Sequence, residues 1–481
     1  MKKFTKIMCA VLCFGFLLTG CATVKNIKND YEELIYNGNS AVMVDGNLYY
    51  GNSFATVESE SDYKEGRKVS YLARLNLNNS IDSEGIDYSP EDVETVSKEV
   101  VGHNHTFMFV LGKYVYYTTP NKQEFANDEG EPTHYYNYST LYRSKLNGDS
   151  KKKILTTDGE VKNIEVLKYD GKYYVVILAG QTLTKVCVGN SSKPQAKVEE
   201  IATDVTSVAI PETFQKDKAS SSLDWNGYVY YTTNKSDPDN ADVSGTIINR
   251  VLVSKNDSEE LEGYTGSISF VGRQEDVVFF TQSASGGTFT YAADLTDDNS
   301  QYAIRNNKKL FYEGTAGEIS EIKTQMSEGC ENSGYVFTVD SILMYAKEKE
   351  SAYTTRNISF MTSEAVTDYN VLTVDGRTVY LSTTSGVFRA DISSVVAGIT
   401  STVNCKIVTE MAEIYDGTIC SFDGENIYFF AKLQSLSSET TDTEDSEETD
   451  DTYYLYRANV NKEYSYESKN YELLSMVDSR K

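Results

Sequence analysis

One pattern recurs along the whole chain: a short apolar strand, a two-residue turn, and a second strand rich in tyrosine. In its clearest copy, VLTVDGRTVYL at 371–381, the turn is Asp375 and Gly376, and a third strand, GVFRADI, follows at 386–392. Eight copies can be aligned, with turns at Asp45 and Gly46, Leu111 and Gly112, Asp170 and Gly171, Asn226 and Gly227, Gln274 and Glu275, Asp340 and Ser341, Asp375 and Gly376, and Asp423 and Gly424. Asp-Gly and Asn-Gly tolerate the positive φ that tight hairpins require, so each copy reads as a hairpin. The spacing averages about 54 residues, slightly long for the blade of a ring of small sheets, and the excess falls in loops.

The third strands carry a recurring cation: Arg74, Arg143, Lys185, Arg250, Arg389 and Arg457, with a looser match at Arg356 and a break at Ala292. Repetition is what stacked units demand, so the series reads as a blade-to-blade device rather than a ligand site. Outer fourth strands fit at KKKILTT, AKVEEI, NCKIVTEM and YELLSMV. The expected fold is an all-β propeller of four-stranded blades, eight in number, with seven as the alternative. Two stretches fit poorly: residues 299–333 are long and irregular, and the interval from Ser341 to Gly376 is short for four strands. Of the paired tyrosines (Tyr49 and Tyr50, Tyr116 and Tyr117, Tyr173 and Tyr174, Tyr230 and Tyr231), one member of each is expected to pack on either side of its sheet.

Ahead of the repeats, the chain opens with a basic segment, an apolar run from Ile7 to Leu18 and small residues, the layout of a secretory signal. The apolar run is too short to span a bilayer. Leu18, Thr19, Gly20 and Cys21 resemble the lipobox of bacterial lipoproteins, in which the cysteine is acylated, for example with palmitate, and the leader is cut before it. The expected organisation is a signal peptide at 1–20, a tether at 21–38 with a helical turn near 29–36, and the propeller at 39–481. The implied location is the cell membrane, lipid-anchored, with the body outside the cytoplasm.

The net charge of -26 disfavours nucleic acid and anionic surfaces as general partners. Beyond Cys21, an exported chain could pair Cys187, Cys330, Cys405 and Cys420, but their irregular spacing fits buried free thiols at least as well, and Cys405 with Cys420 is the one pair worth testing. Alternation of DGxxIYY-type with LYRxxLDG-type strands, after AVMVDGNLYY at 41–50, is similar to an uncharacterised bacterial family described as low-density-lipoprotein-receptor-related-protein-like β-propellers. That resemblance covers roughly residues 37–462 and implies a propeller in the bacterial envelope, with no catalytic residues to carry over.

Linear chemistry is sparse. The segment 435–451 holds eight carboxylates but lacks the glycine of a calcium loop. Asp237, Asp239 and Asp242 are a weak Ca²⁺ candidate. His103 and His105 would share a strand face, and His134 is the third and last histidine. HExxH, GxSxG and Walker-type loops do not occur. The expected function is a non-catalytic, monomeric binding or scaffolding module for an envelope protein or glycan, without a cofactor. The alternative is a propeller enzyme, a hydrolase or lyase acting on polysaccharide or peptide.

Overall fold

In the computed structural model, residues 31–475 are described except 36–40, 53–68, 78–92, 103–106, 127–131, 158, 160, 210–226, 237–243, 266, 275, 285–286, 297–299, 315–318, 326–333, 341, 362–364, 367–368, 411–413, 415–418, 433–452 and 466–469. The strands form eight sheets, each built on four strands that are consecutive in the chain. The blades span 42–102, 108–156, 161–202, 205–265, 267–314, 319–357, 370–410 and 421–475. Every within-blade pairing is antiparallel between neighbours in sequence. The ring is therefore an eight-bladed β-propeller.

First strands of blades 4, 5 and 6 lie beside one another, so first strands face the axis and fourth strands the rim. Antiparallel order then fixes two faces. Links between strands one and two, and three and four, emerge on one side, the turn face. Links between strands two and three, and the crossovers to the next blade, emerge on the other, the loop face. The hairpins of the turn face use the positive φ that their sequence permits: Asp45 at 47° and Gly46 at 68°, Asp170 at 50° and Gly171 at 66°.

Eight apolar clusters fill the eight junctions between blades. The paired tyrosines account for much of this. Tyr49 packs toward blade 2 and Tyr50 toward blade 8, Tyr116 toward blade 3 and Tyr117 toward blade 1. Strand alternation lets one dipeptide serve both neighbours. Among the described residues the ring closes without exchange of a strand: Ala41, Leu48, Tyr50 and Leu75 pack on Tyr428, Phe430 and Leu455, and the Ala41 N–H donates to the Cys420 carbonyl at 3.0 Å.

Three features differ from the expectations. In blade 6 the hairpin turning at Asp340 joins the second strand, Tyr335–Val339, to the third, Ile342–Glu348, because Ile319–Gln325 supplies the axial strand. The irregular stretch thus contains the strand that the short interval lacked. In blade 4 the first strand is Val205–Ala209, well upstream of the Asn226 and Gly227 turn. Third, Tyr31–Ile35, inside the expected tether, is a strand rather than a helical turn. It adds antiparallel to the axial edge of blade 2, where the open backbone of Met108–Gly112 offers partners that an isolated turn of helix does not. Leu34 is fully buried there.

Candidate functional site

The recurring cations are the first place to look for chemistry, and the structure places each directly across from a residue on the neighbouring strand. Tyr49 faces Arg74, Tyr116 faces Arg143, Tyr230 faces Arg250, Tyr380 faces Arg389 and Tyr428 faces Arg457. In blade 6 the same pair, Tyr345 with Arg356, sits one strand further out, which explains the loose match. In blade 3 the pair is Val176 with Lys185, and in blade 5 Phe279 faces Ala292. The cation is absent where the aromatic has no hydroxyl.

Four of these cations reach a carbonyl of the following blade. Lys185 donates to Lys255, Arg389 to Val460, Arg143 to Gln195 at 3.4 Å and Arg356 to Val395 at 3.4 Å. Arg74, Arg250 and Arg457 pair with the glutamate opposite them on their own fourth strand, Glu94, Glu259 and Glu472. In blade 1 the tyrosine itself crosses: the Tyr49 hydroxyl donates to the Leu146 carbonyl at 3.0 Å, and burial pushes its pKa up to about 12 against the opposing pull of Arg74. Blade 5 uses a different residue. Arg273, fully buried on its first strand, donates to the Tyr228 carbonyl at 2.5 Å and pairs with Asp276 at 3.2 Å; burial pulls its pKa down to about 10. Lys185, Arg389, Arg143, Arg356, Tyr49 and Arg273 hold blades together, whereas Arg74, Arg250 and Arg457 tie the third strand to the fourth within a blade.

A polar cleft of about 490 Å³ opens on the turn face of blade 8, between the first hairpin turn, the end of the third strand and the start of the fourth. Asp423 organises the turn. Its carboxylate accepts from the backbone N–H of Glu425 at 3.0 Å, that of Asn426 at 2.7 Å and the Tyr428 hydroxyl at 2.8 Å. Burial first, then Asp423, raises the pKa of that hydroxyl. Across the cleft Asn459 donates to Glu425 at 2.9 Å, and the Arg457 Nε donates to Glu472 at 2.9 Å. Burial alone would loosen the Arg457 proton, but the Glu472 bond more than offsets it. Asn470 ties the cleft to blade 7 through the Val408 carbonyl at 2.8 Å.

Glycosidic cleavage needs one carboxyl held protonated and a second placed opposite it. Here Glu425 accepts from the Asn459 amide and Glu472 from Arg457, so the cleft lines up carboxyl groups, amides and the half-buried Tyr471. Such a surface can bind hydroxyl groups. Sequence reasoning had Arg457 as a recurring cation and Tyr471 and Glu472 only as part of an outer strand; the cleft residues come from three separated segments whose convergence has no linear signature.

Cys21, His103, His105, Asp237, Asp239, Asp242, Cys330 and the segment 435–451 lie outside the described residues. His134 is on the third strand of blade 2, Pro132–Lys145. Cys405 and Cys420 are both free thiols, because Cys405 packs between blades 6 and 7 and Cys420 between blades 8 and 1, with blades 7 and 8 between those two cores. Burial pushes the Cys405 thiol up to about 11 and Cys420 higher still. Among the described residues, no three His, Cys, Asp or Glu side chains are grouped to hold a metal, and no helix is long and apolar enough to cross a membrane.

No family model matches the sequence, and no curated protein matches it. Solved structures similar to the chain are propeller proteins at very low identity. The β-propeller domain of the Trilobed protease from Pyrococcus furiosus, described as having an open velcro topology, aligns over 93% of this chain and 97% of its own, at 10% identity and a TM-score of 0.34. Oligogalacturonate lyase from Vibrio parahaemolyticus aligns over 68% of this chain and 93% of its own, at 8% identity and a TM-score of 0.36. TolB from Acinetobacter baumannii is matched over 52% of this chain and only 56% of its own, at 10% identity and a TM-score of 0.28. These likenesses, to enzymes and non-enzymes alike, do not bear on what the chain does.

Proposed function

We propose that the chain is an extracytoplasmic lipoprotein, cut before Cys21 and acylated there, whose propeller is a non-catalytic binding or scaffolding module. Its partner is another envelope protein or a glycan, engaged from the loop face, where the long links of blades 1, 2, 4 and 8 attach. The signal and lipobox residues support the anchor. One observation carries the non-catalytic reading: the conspicuous charged side chains of the described ring are spent on carbonyls and carboxylates of the ring itself, as with Lys185, Arg389 and Arg457. The N-terminal strand supports it further, because it adds backbone to the axial edge of blade 2, on the side where a propeller enzyme would gather its groups.

Cross-linking in intact cells followed by affinity capture tests this reading. A single envelope protein or glycan recovered with the chain, and lost on trimming residues 435–451, is the expected result. Turnover of polysaccharide or peptide by the purified chain would replace it with the hydrolase or lyase reading. Mass measurement of the processed N-terminus tests acylation at Cys21, and Cys21→Ala should release the protein from membranes.

A further inference from the structure

We infer that the turn face of the propeller rests against the bilayer, with Ile399 and Tyr302 as its lipid contacts, so that the loop face points away from the membrane. This orientation depends on the lipid anchor at Cys21 and goes beyond it, since an anchor alone leaves a tethered body free to tumble.

The N-terminal strand fixes where the tether leaves the ring. Tyr31 pairs with Gly112 and Ile35 with Val110 in antiparallel register. Gly112 ends the first strand of blade 2, at the hairpin turn on the turn face. The chain before Tyr31 therefore departs from the turn face, close to the axis. Only the stretch from Cys21 to Tyr31 remains to reach the membrane, at most about 35 Å fully extended.

The same face offers apolar contacts. Ile399 is 80% exposed and Tyr302 46% exposed. Both lie in links between third and fourth strands, in blades 7 and 5, each beside a short helix, Ser393–Val396 and Ala303–Asn307. The blade 7 link, ISSVVAGITS at 392–401, contains no charged residue in a chain that is 24% charged. In the blade 5 link the Arg305 guanidinium lies 5.7 Å from the Tyr302 ring, an aromatic and cation pairing suited to a headgroup layer.

Links on both faces are net acidic, the turn-face link 77–92 holding five Asp and Glu and no Lys or Arg, but the opposite face carries the larger excess. The four links 53–68, 127–131, 237–243 and 433–452, which join second to third strands, contain eighteen Asp and Glu against three Lys and Arg. Approach of that face to an anionic leaflet would be repelled.

The test uses the full acylated chain in phosphatidylcholine vesicles, with Trp225, the sole tryptophan, replaced by Phe and a reporter introduced as Ile399→Trp, Tyr302→Trp or Ile342→Trp. Ile342 is 48% exposed at the loop-face tip of blade 6 and serves as the control. Brominated lipid should lower the emission of the Ile399→Trp variant at least about twofold, as expected for a side chain entering the interface, and that of Tyr302→Trp less, while Ile342→Trp is unchanged. Hydrogen exchange on the unsubstituted chain provides a second measurement: vesicle binding should protect 392–401 and leave 339–343 as it was. Quenching of Ile342→Trp instead, or of no variant although the acylated chain sediments with vesicles, overturns the orientation and leaves the anchor standing. Recovery from cells of a processed chain whose Cys21 carries no acyl group overturns both.

Discussion

The junction between blades 3 and 4 and the junction between blades 5 and 6 solve one packing problem in two ways. At the first, Leu167, Val176, Leu183, Val229 and Val251, joined by Tyr174 and Tyr231, form a mainly aliphatic core, and Lys185, 1% exposed, spans it to the Lys255 carbonyl. At the second, Ala292 occupies the cation's position. Phe279, Phe311, Tyr335 and Phe337 fill the space, with ring centroids 4.9 to 5.0 Å apart for Phe311 with Phe337 and for Phe279 with Phe311 and Tyr335. The polar link there, Lys309 with Glu348, sits outside that core, with both side chains at least a third exposed. The difference teaches that the repeated cation is one way of joining blades, replaceable where aromatic volume takes over.

Perturbing each junction in turn can break that comparison. Phe311→Ala should cost the most, about 3–5 kcal/mol in urea melts, because its cavity has four aromatic neighbours that cannot collapse into it. Lys185→Ala should cost about 2–4 kcal/mol, removing a buried stem and leaving a carbonyl unpaired; a loss below 0.5 kcal/mol would mean the cation does not join the blades. Ala292→Arg should destabilise by about 1–3 kcal/mol, since the aromatic junction has no room for the residue that its repeats prefer. Tyr49→Phe removes one hydroxyl from the Leu146 carbonyl and should cost about 1 kcal/mol.

The smallest effect belongs to Glu199, whose carboxyl is held below its usual 4.5 by the hydrogen bonds from Lys197 and Asn256. A lowered acid contributes stability above its unfolded pKa and loses it as pH falls through the folded one. Glu199→Gln should therefore cost at most about 0.5 kcal/mol at pH 7, as solvated pairs do, and nothing once the pH is well below 4.5. A gap between wild type and variant that widened on acidification would contradict the assignment.

Much of the ring was legible beforehand because its signals are local. Asp-Gly turns, alternating strands and tyrosine pairs each report on a few adjacent residues, and their number gives the blade count. The outer strands Lys152–Thr156, Pro194–Ala202, Thr402–Glu410 and Tyr471–Ser475 all lie where their sequences suggested. Blade 6 was misread by one strand for a physical reason. A hairpin such as VFTVDSILMYA has the same alternation whether it is first and second or second and third from the axis, and nothing local encodes distance from the axis. The cleft of blade 8 was invisible for a related reason: Glu425, Arg457 and Asn470 meet only once the sheet has folded.

By itself, then, the sequence determined a ring of small sheets and the residues that face each way across each strand, because turn chemistry and strand periodicity act between neighbours in the chain. Radial position, the docking of Tyr31–Ile35 on blade 2 and the separation of Cys405 from Cys420 were decided only by tertiary structure. Each of these depends on which edge or core is left open after the blades have packed. That is a property of the assembled ring and of no single segment.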